Sequence, residues 1–200
     1  MMRKSVRNWV LNSFLALLTL TQSVREIAAV DIIDLGNLGG TRLIPTALSR
    51  DGNTVVGTVI GDAGSQRGFI WSKVSGISYL TETGSLGAAW GITSDGSQVV
   101  GFQTVPGSTT HSNAFRWTAQ NGFEFLSPVS SSSHGFSVSN DGQTVVGRVQ
   151  ASYDGNPNSS SPQAAIWDSG STQAFIPLLS PFCSFTSVSG DGSIIAGYGA

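Results

Sequence analysis

A short stretch of the form Ser/Thr-x-Asp-Gly, followed by an apolar run and a second glycine, occurs four times in this chain of 200 residues. The four aspartates are spaced 44, 46 and 50 residues apart. A nearly fixed period of this size is typical of repeat architectures. The repeated positions that we single out are Asp51, Gly52, Gly57, Asp95, Gly96, Gly101, Asp141, Gly142, Gly147, Asp191, Gly192 and Gly197.

The Asp-Gly pair predicts a tight hairpin turn. Glycine adopts a positive φ without a Cβ clash, and aspartate accepts hydrogen bonds from amides of the turn. In the first copy, the turn leads into the β-branched run 54–59, which we predict to be a strand. Because the turn explains why the aspartates recur, we interpret them as structural residues and not as catalytic acids.

An aromatic strand follows each of the first three Asp-Gly turns and ends in Trp71, Trp117 or Trp167. The residues before each tryptophan alternate between small and apolar, as in a strand with one face in a core. A glycine-containing turn or short linker and another short strand complete each repeat. Four strands in about 45 residues match the size of one propeller blade.

The sequence therefore predicts an all-β, propeller-like array of four-stranded repeats. We place three full units at residues 41–80, 86–126 and 134–178, and a partial unit at 185–200. Residues 31–36 look like a lone N-terminal strand that completes the last blade. Since about four blades are needed for closure, we expect an incomplete ring or a fragment, with open strand edges that favour self-association.

The first 29 residues have the pattern of a secretory signal peptide. A basic start is followed by a mostly apolar run at 9–20, and Ala28-Ala29 offers a cleavage site. The domain then comprises residues 30–200, and we expect a secreted or cell-surface protein without a membrane span after signal removal. Removing the signal leaves 6 basic and 11 acidic residues, a formal charge of −5. This mildly acidic domain argues against nucleic acid as a partner.

The sequence offers no catalytic centre, cofactor site or metal site. Asp154, Asn156 and Asn158 alternate, but the glycine and proline among them depart from a calcium loop. His111 and His134 lack partners at zinc-ligand spacing. The three tryptophans could form a sugar-stacking platform, but their equivalent places in an apolar alternation favour packing between sheets. The ligand-binding residues stay unidentified.

The chain resembles the HAF-type probable extracellular repeat of bacterial exported proteins. The resemblance is carried by the entry stretch 34–40, the four Asp-Gly stretches and the aromatic strand 114–117, and it covers residues 31–198. The first aromatic strand has Gly68 in place of the alanine of the family's triplet, and the third has Ala165-Ile166. The family implies export and a propeller-like repeat, and it implies no established activity. Some members carry an autotransporter barrel or a sorting signal, and we expect neither within these 200 residues.

From these observations we expect an exported, non-catalytic binding or surface-interaction module whose partner is an unidentified protein or glycan. One alternative is a propeller-type hydrolase or lyase acting on carbohydrate, which requires acids that converge on one pocket. Another is a passenger fragment of a longer surface-anchored or autotransporter protein.

Overall fold

The computed structural model describes residues 32–81, 84–105, 111–127, 132–151, 161–168, 171–175 and 182–199. The predicted signal peptide at residues 1–29 lies outside these ranges. Every described strand belongs to the compact unit Leu35–Ala200. Within the described ranges, no helix has the length and apolar character needed to cross a membrane.

The fold is all-β, and the predicted array of three full repeats and a partial fourth is confirmed. In the described residues, three sheets have four antiparallel strands in sequential order, and a fourth sheet has two. Sheet 1 contains β1 (Arg42–Leu48), β2 (Thr54–Ile60), β3 (Gln66–Ser72) and β4 (Gly76–Tyr79). Sheet 2 contains β5 (Gly87–Ile92), β6 (Gln98–Thr104), β7 (Ser112–Thr118) and β8 (Gly122–Phe125). Sheet 3 contains β9 (Ser133–Val138), β10 (Thr144–Ala151), β11 (Ser161–Asp168) and β12 (Ser171–Phe175), and sheet 4 contains β13 (Cys183–Val188) and β14 (Ile195–Gly199).

Apolar side chains fill the spaces between consecutive sheets. Successive residues of a strand point to opposite faces, so Val99 of β6 packs toward sheet 1 while Val100 packs toward sheet 3. This two-sided burial explains the continuous valine pairs of the repeat. The cluster between sheets 1 and 2 contains Val56, Leu80, Ala89, Val99 and Phe115. The cluster between sheets 2 and 3 contains Val100, Ala114, Val138, Val145, Val149, Ala165 and Trp167.

A β-bulge occurs at the same place in the first strand of every sheet. The extra, unpaired residues are Thr46, Trp90, Phe136 and Thr186. Each bulge stands opposite the second repeat glycine, and the first-strand backbone crosses that glycine closely. A Cβ on Gly57, Gly101, Gly147 or Gly197 would lie 2.2, 2.0, 1.9 or 2.3 Å from a carbonyl oxygen of the first strand. These four glycines therefore make room for the bulge.

The sequence predicts a strand at residues 31–36, and the structure corrects this prediction: residues 32–36 belong to no strand. A strand needs a neighbour with which to exchange backbone hydrogen bonds. Sheet 4 has only two strands among the described residues, so it lacks the third strand beside which an N-terminal strand would pair. Instead, Leu35 and Leu38 pack against the cluster of Val59, Phe69 and Trp71.

Candidate functional site

The four Asp-Gly turns share one hydrogen-bond arrangement. The hydroxyl two residues before each aspartate donates to its Oδ1 at 2.5–2.7 Å. The backbone amide two residues after the aspartate donates to the same oxygen at 3.0–3.1 Å. The glycine that follows has φ between 73° and 75° in all four turns. Each aspartate is therefore occupied as an acceptor within its own turn.

The turns also contact one another through the residue that precedes each aspartate. The Arg50 amide donates to the Ser94 carbonyl at 2.9 Å, and the Asn140 amide donates to the Gly190 carbonyl at 2.8 Å. The Ser94 hydroxyl donates to the side-chain oxygen of Asn140. The four turns thus form a continuous row along one edge of the array, and this row does not gather their carboxylates into a pocket.

These hydrogen bonds hold the pKa of all four carboxyls below the ordinary value of 3.8. The largest cause is the Asn53 amide for Asp51, and the hydroxyl two residues earlier for Asp95, Asp141 and Asp191. The pKa of Asp191 is lowered to about 2.

A depressed carboxyl pKa predicts how stability depends on pH. The contribution of these turns is present above the unfolded value of 3.8 and is lost as pH falls through the lower folded values. We expect the free energy of unfolding, measured with urea, to fall between about pH 4 and pH 2. A variant with all four aspartates changed to asparagine should show a flatter profile over that range. If the free energy of unfolding fell equally steeply with pH in both proteins, the hydrogen-bond arrangement of the turns would be contradicted.

The three repeated tryptophans do not have equal environments. Trp71 is 8% exposed and Trp167 is 2% exposed. The indole Nε1 of Trp167 donates to the Ser127 hydroxyl at 3.2 Å. Trp117 is only half-buried and packs at the margin of the cluster between sheets 1 and 2.

A cluster of aromatic and cationic side chains lies where sheets 2 and 3 meet. We define the inner aromatic patch as Trp90, Phe102, His134, Phe136 and Arg148, all of which are half-buried. The rings of Trp90 and Phe136 stack with centroids 4.8 Å apart, and Phe102 lies 4.8 Å from Trp90. The His134 ring lies 4.4 Å from Phe102. The patch therefore presents a packed ring surface that stays partly open to solvent.

His134 and Arg148 are paired positions on β9 and β10, and their side chains meet. An Arg148 guanidinium nitrogen lies 3.2 Å from Nδ1 of His134, and the Ser112 hydroxyl lies 3.0 Å from Nε2. Burial, and secondarily the charge of Arg148, lower the pKa of His134 to about 4. The imidazole is therefore neutral at pH 7, so that Nδ1 accepts from Arg148 while Nε2–H donates to Ser112. Arg148 has no carboxylate partner among the described residues.

The patch occupies positions that differ between repeats. Its Trp90 and Phe136 are the bulged residues of sheets 2 and 3, whereas sheets 1 and 4 have threonine there. The residue after the second repeat glycine is Thr58 in sheet 1 but Phe102 in sheet 2. Since the repeat itself requires none of these large side chains, we regard the patch as the candidate functional site.

The other residues considered from the sequence do not join this site. Asp154, Asn156 and Asn158 lie outside the described residues, and the residues described contain no group of three or more His, Cys, Asp and Glu that could hold a metal ion. Cys183 is buried, with its sulfur 3.2 Å from the Ala164 amide.

Sequence reasoning missed four members of the patch and examined His134 only as a zinc ligand. The signal was present in the internal repeats: aligning the Asp-Gly stretches places Trp90 and Phe136 opposite threonines. What the alignment alone does not give is the bulge, which displaces these residues from the strand alternation and brings their rings together.

No protein-family model and no curated protein matches the sequence. Similar solved structures include TolB from Acinetobacter baumannii, with 14% identity and a TM-score of 0.54 over 78% of this chain and 37% of that one. A putative TolB from Agrobacterium tumefaciens has 16% identity and a TM-score of 0.49 over 64% of this chain and 44% of that one. The chain thus spans less than half the length of either structure. At 14% identity, the likeness to the Acinetobacter structure shows the fold alone, which is that of a β-propeller.

Proposed function

We propose that this chain is an exported, non-catalytic binding module whose partner is a protein that contacts the inner aromatic patch. The observation that carries the proposal is the set of half-buried Trp90, Phe102, Phe136 and Arg148 on a repeat that elsewhere places threonine at the bulge. Tryptophan, other aromatic residues and arginine are enriched in protein interfaces, and tryptophan and arginine contribute most often to their binding energy.

The charges of the patch favour a partner with an acidic group. The Arg148 guanidinium is held by His134 Nδ1 and lies 5.7 Å from the Phe136 ring centroid, and its other N–H groups have no protein partner among the described residues. A guanidinium fixed in this way can form a paired hydrogen bond with a carboxylate. We therefore expect the partner to place an aspartate, a glutamate or a chain terminus beside an apolar segment.

Two further observations support export and a non-catalytic role. The N-terminal 29 residues have the signal-peptide pattern, and the resemblance to HAF-type repeats points in the same direction. The recurring aspartates, the only acids that the repeat supplies in every unit, each serve their own turn. They are therefore poor candidates for the paired acids of a carbohydrate hydrolase.

The test begins with the full chain, immobilised and exposed to the secreted and surface proteins of the organism that makes it. The retained protein is then purified, and its affinity for the chain is measured by calorimetry. We expect Trp90→Ala and Arg148→Ala each to weaken binding at least tenfold, or about 1.4 kcal/mol.

The matched control is Val74→Ala, because Val74 is 98% exposed in the turn between β3 and β4, away from the patch. This variant should bind as the unchanged chain does. Thermal unfolding of every variant checks that the fold is kept. Unchanged affinity in both patch variants would show that the partner binds elsewhere.

A further inference from the structure

We propose that an open cleft between sheets 1 and 2 is a second binding site and that it takes a neutral carbohydrate chain. The cleft has a volume of about 630 Å³. Its walls are β2, β3, β4 and the β3–β4 turn on one side, and the second Asp-Gly turn with the β7–β8 turn on the other. It shares no residue with the inner aromatic patch.

The lining of the cleft has hydrogen-bonding groups but no charge. None of its fifteen residues is Asp, Glu, Lys, Arg or His, while nine are Ser, Thr, Asn or Gln. A charged ligand would leave water here without gaining an opposite charge, which is unfavourable. The lining therefore suits a neutral ligand that is rich in hydroxyl or amide groups.

Several of the polar side chains are available for a ligand. The side chains of Thr54, Ser78, Gln120 and Asn121 form no hydrogen bond to the described residues. They lie on both walls of the cleft, so a ligand between the walls can reach donors and acceptors on either side. Hydroxyl groups on one wall and amide groups on the other can exchange hydrogen bonds with the hydroxyl rim of a sugar ring.

Trp117 supplies an apolar surface in the same cleft. The equivalent Trp71 and Trp167 are buried, whereas Trp117 is half-buried and lines the cleft with Ile70 and Tyr79. A pyranose ring has an apolar C–H face as well as a polar rim, and an indole is a large, flat apolar partner for that face. An aromatic surface with a few placed polar groups is the usual composition of a ligand site.

The test measures calorimetric binding of the full chain to four neutral hexasaccharides, built from glucose, N-acetylglucosamine, mannose or galactose. A galacturonic acid hexasaccharide and a neutral serine–glycine hexapeptide serve as comparison ligands. We expect at least one neutral sugar to bind with Kd below about 1 mM, and both comparison ligands to bind at least tenfold more weakly. Failure of all four sugars, or equal binding of the acidic sugar or the peptide, would overturn the inference.

Variants then locate the site. Trp117→Ala should weaken sugar binding at least tenfold, and Trp117→Phe should retain part of it. Because Gln120 and Asn121 are exposed in a turn, the double variant Gln120→Ala and Asn121→Ala tests the cleft without disturbing the core, and we expect at least a threefold loss. Trp90→Ala should bind the sugar normally, which separates this site from the patch. Normal sugar binding by the Trp117→Ala and turn variants would place the sugar elsewhere.

Discussion

Replacing Gly101 by alanine is expected to lower the free energy of unfolding by about 3 kcal/mol, because the new methyl group has no space. Its Cβ would lie 2.0 Å from the Ala88 carbonyl oxygen and 3.0 Å from the Ala89 Cα. Both are backbone atoms that the ladder between β5 and β6 holds in place, so neither can move aside as the end of a side chain would. Urea unfolding of the variant and the unchanged chain measures the difference.

Gly122→Ala is the matched control. Gly122 has φ of 70°, and a Cβ at this position meets no atom within 4 Å. Alanine there meets no neighbouring atom, but its Cβ is strained by the left-handed backbone conformation, at a cost of about 1–2 kcal/mol. If Gly101→Ala were no more destabilising than Gly122→Ala, the close approach at the bulge would be wrong. Because Trp90 is the bulged residue opposite Gly101, Gly101→Ala should also weaken binding at the patch.

The local parts of this fold could be predicted from the sequence. Asp-Gly with a β-branched run specifies a turn and a strand within a few residues, and the tryptophan spacing gives the size of the repeat. The sequence shows that the second glycine of each repeat recurs, but it does not show why glycine is required at that position. Gly101 is needed because a carbonyl of a different strand crosses it, and a contact of that kind depends on tertiary structure.

The strand expected at residues 31–36 is a case in which the local sequence pattern predicted an element that does not form. Its apolar, β-branched composition satisfies the local preference for a strand, but a strand also requires a paired neighbour, and residues 32–36 pair with none of the described strands. Local preference therefore decides where a strand can form, while pairing decides whether it does.

The candidate sites were the least predictable part, because they too depend on contacts between residues that are far apart in the sequence. Trp90 and Arg148 lie 58 residues apart in the sequence, and only the packing of sheet 2 against sheet 3 brings both into one patch with Phe136. The internal repeats nevertheless provide a usable rule. Positions that recur, such as the turn aspartates, maintain the fold, whereas large side chains that break the recurrence on a shared face are candidates for binding.

Replacing Trp167 by alanine is expected to be at least as destabilising as the glycine substitution. The side chain is 2% exposed within the cluster between sheets 2 and 3, where it packs with Val100, Val145 and Ala165. Truncating a buried tryptophan leaves a cavity and typically costs about 3–5 kcal/mol. The change also removes the donor to the Ser127 hydroxyl. Urea unfolding measures the loss, and Trp167→Phe, which keeps most of the apolar volume, should lose less.

Trp117→Ala provides the comparison that connects stability to function. Trp117 occupies the same place in its repeat as Trp167, pairing with Val99 as Trp167 pairs with Val145. Because it is half-buried beside the cleft, its truncation removes less apolar surface from the core, and we expect a smaller loss of stability than for Trp167→Ala. Equal losses would show that Trp117 is a core residue like its counterparts, and the exposed ring on which the carbohydrate inference depends would not exist.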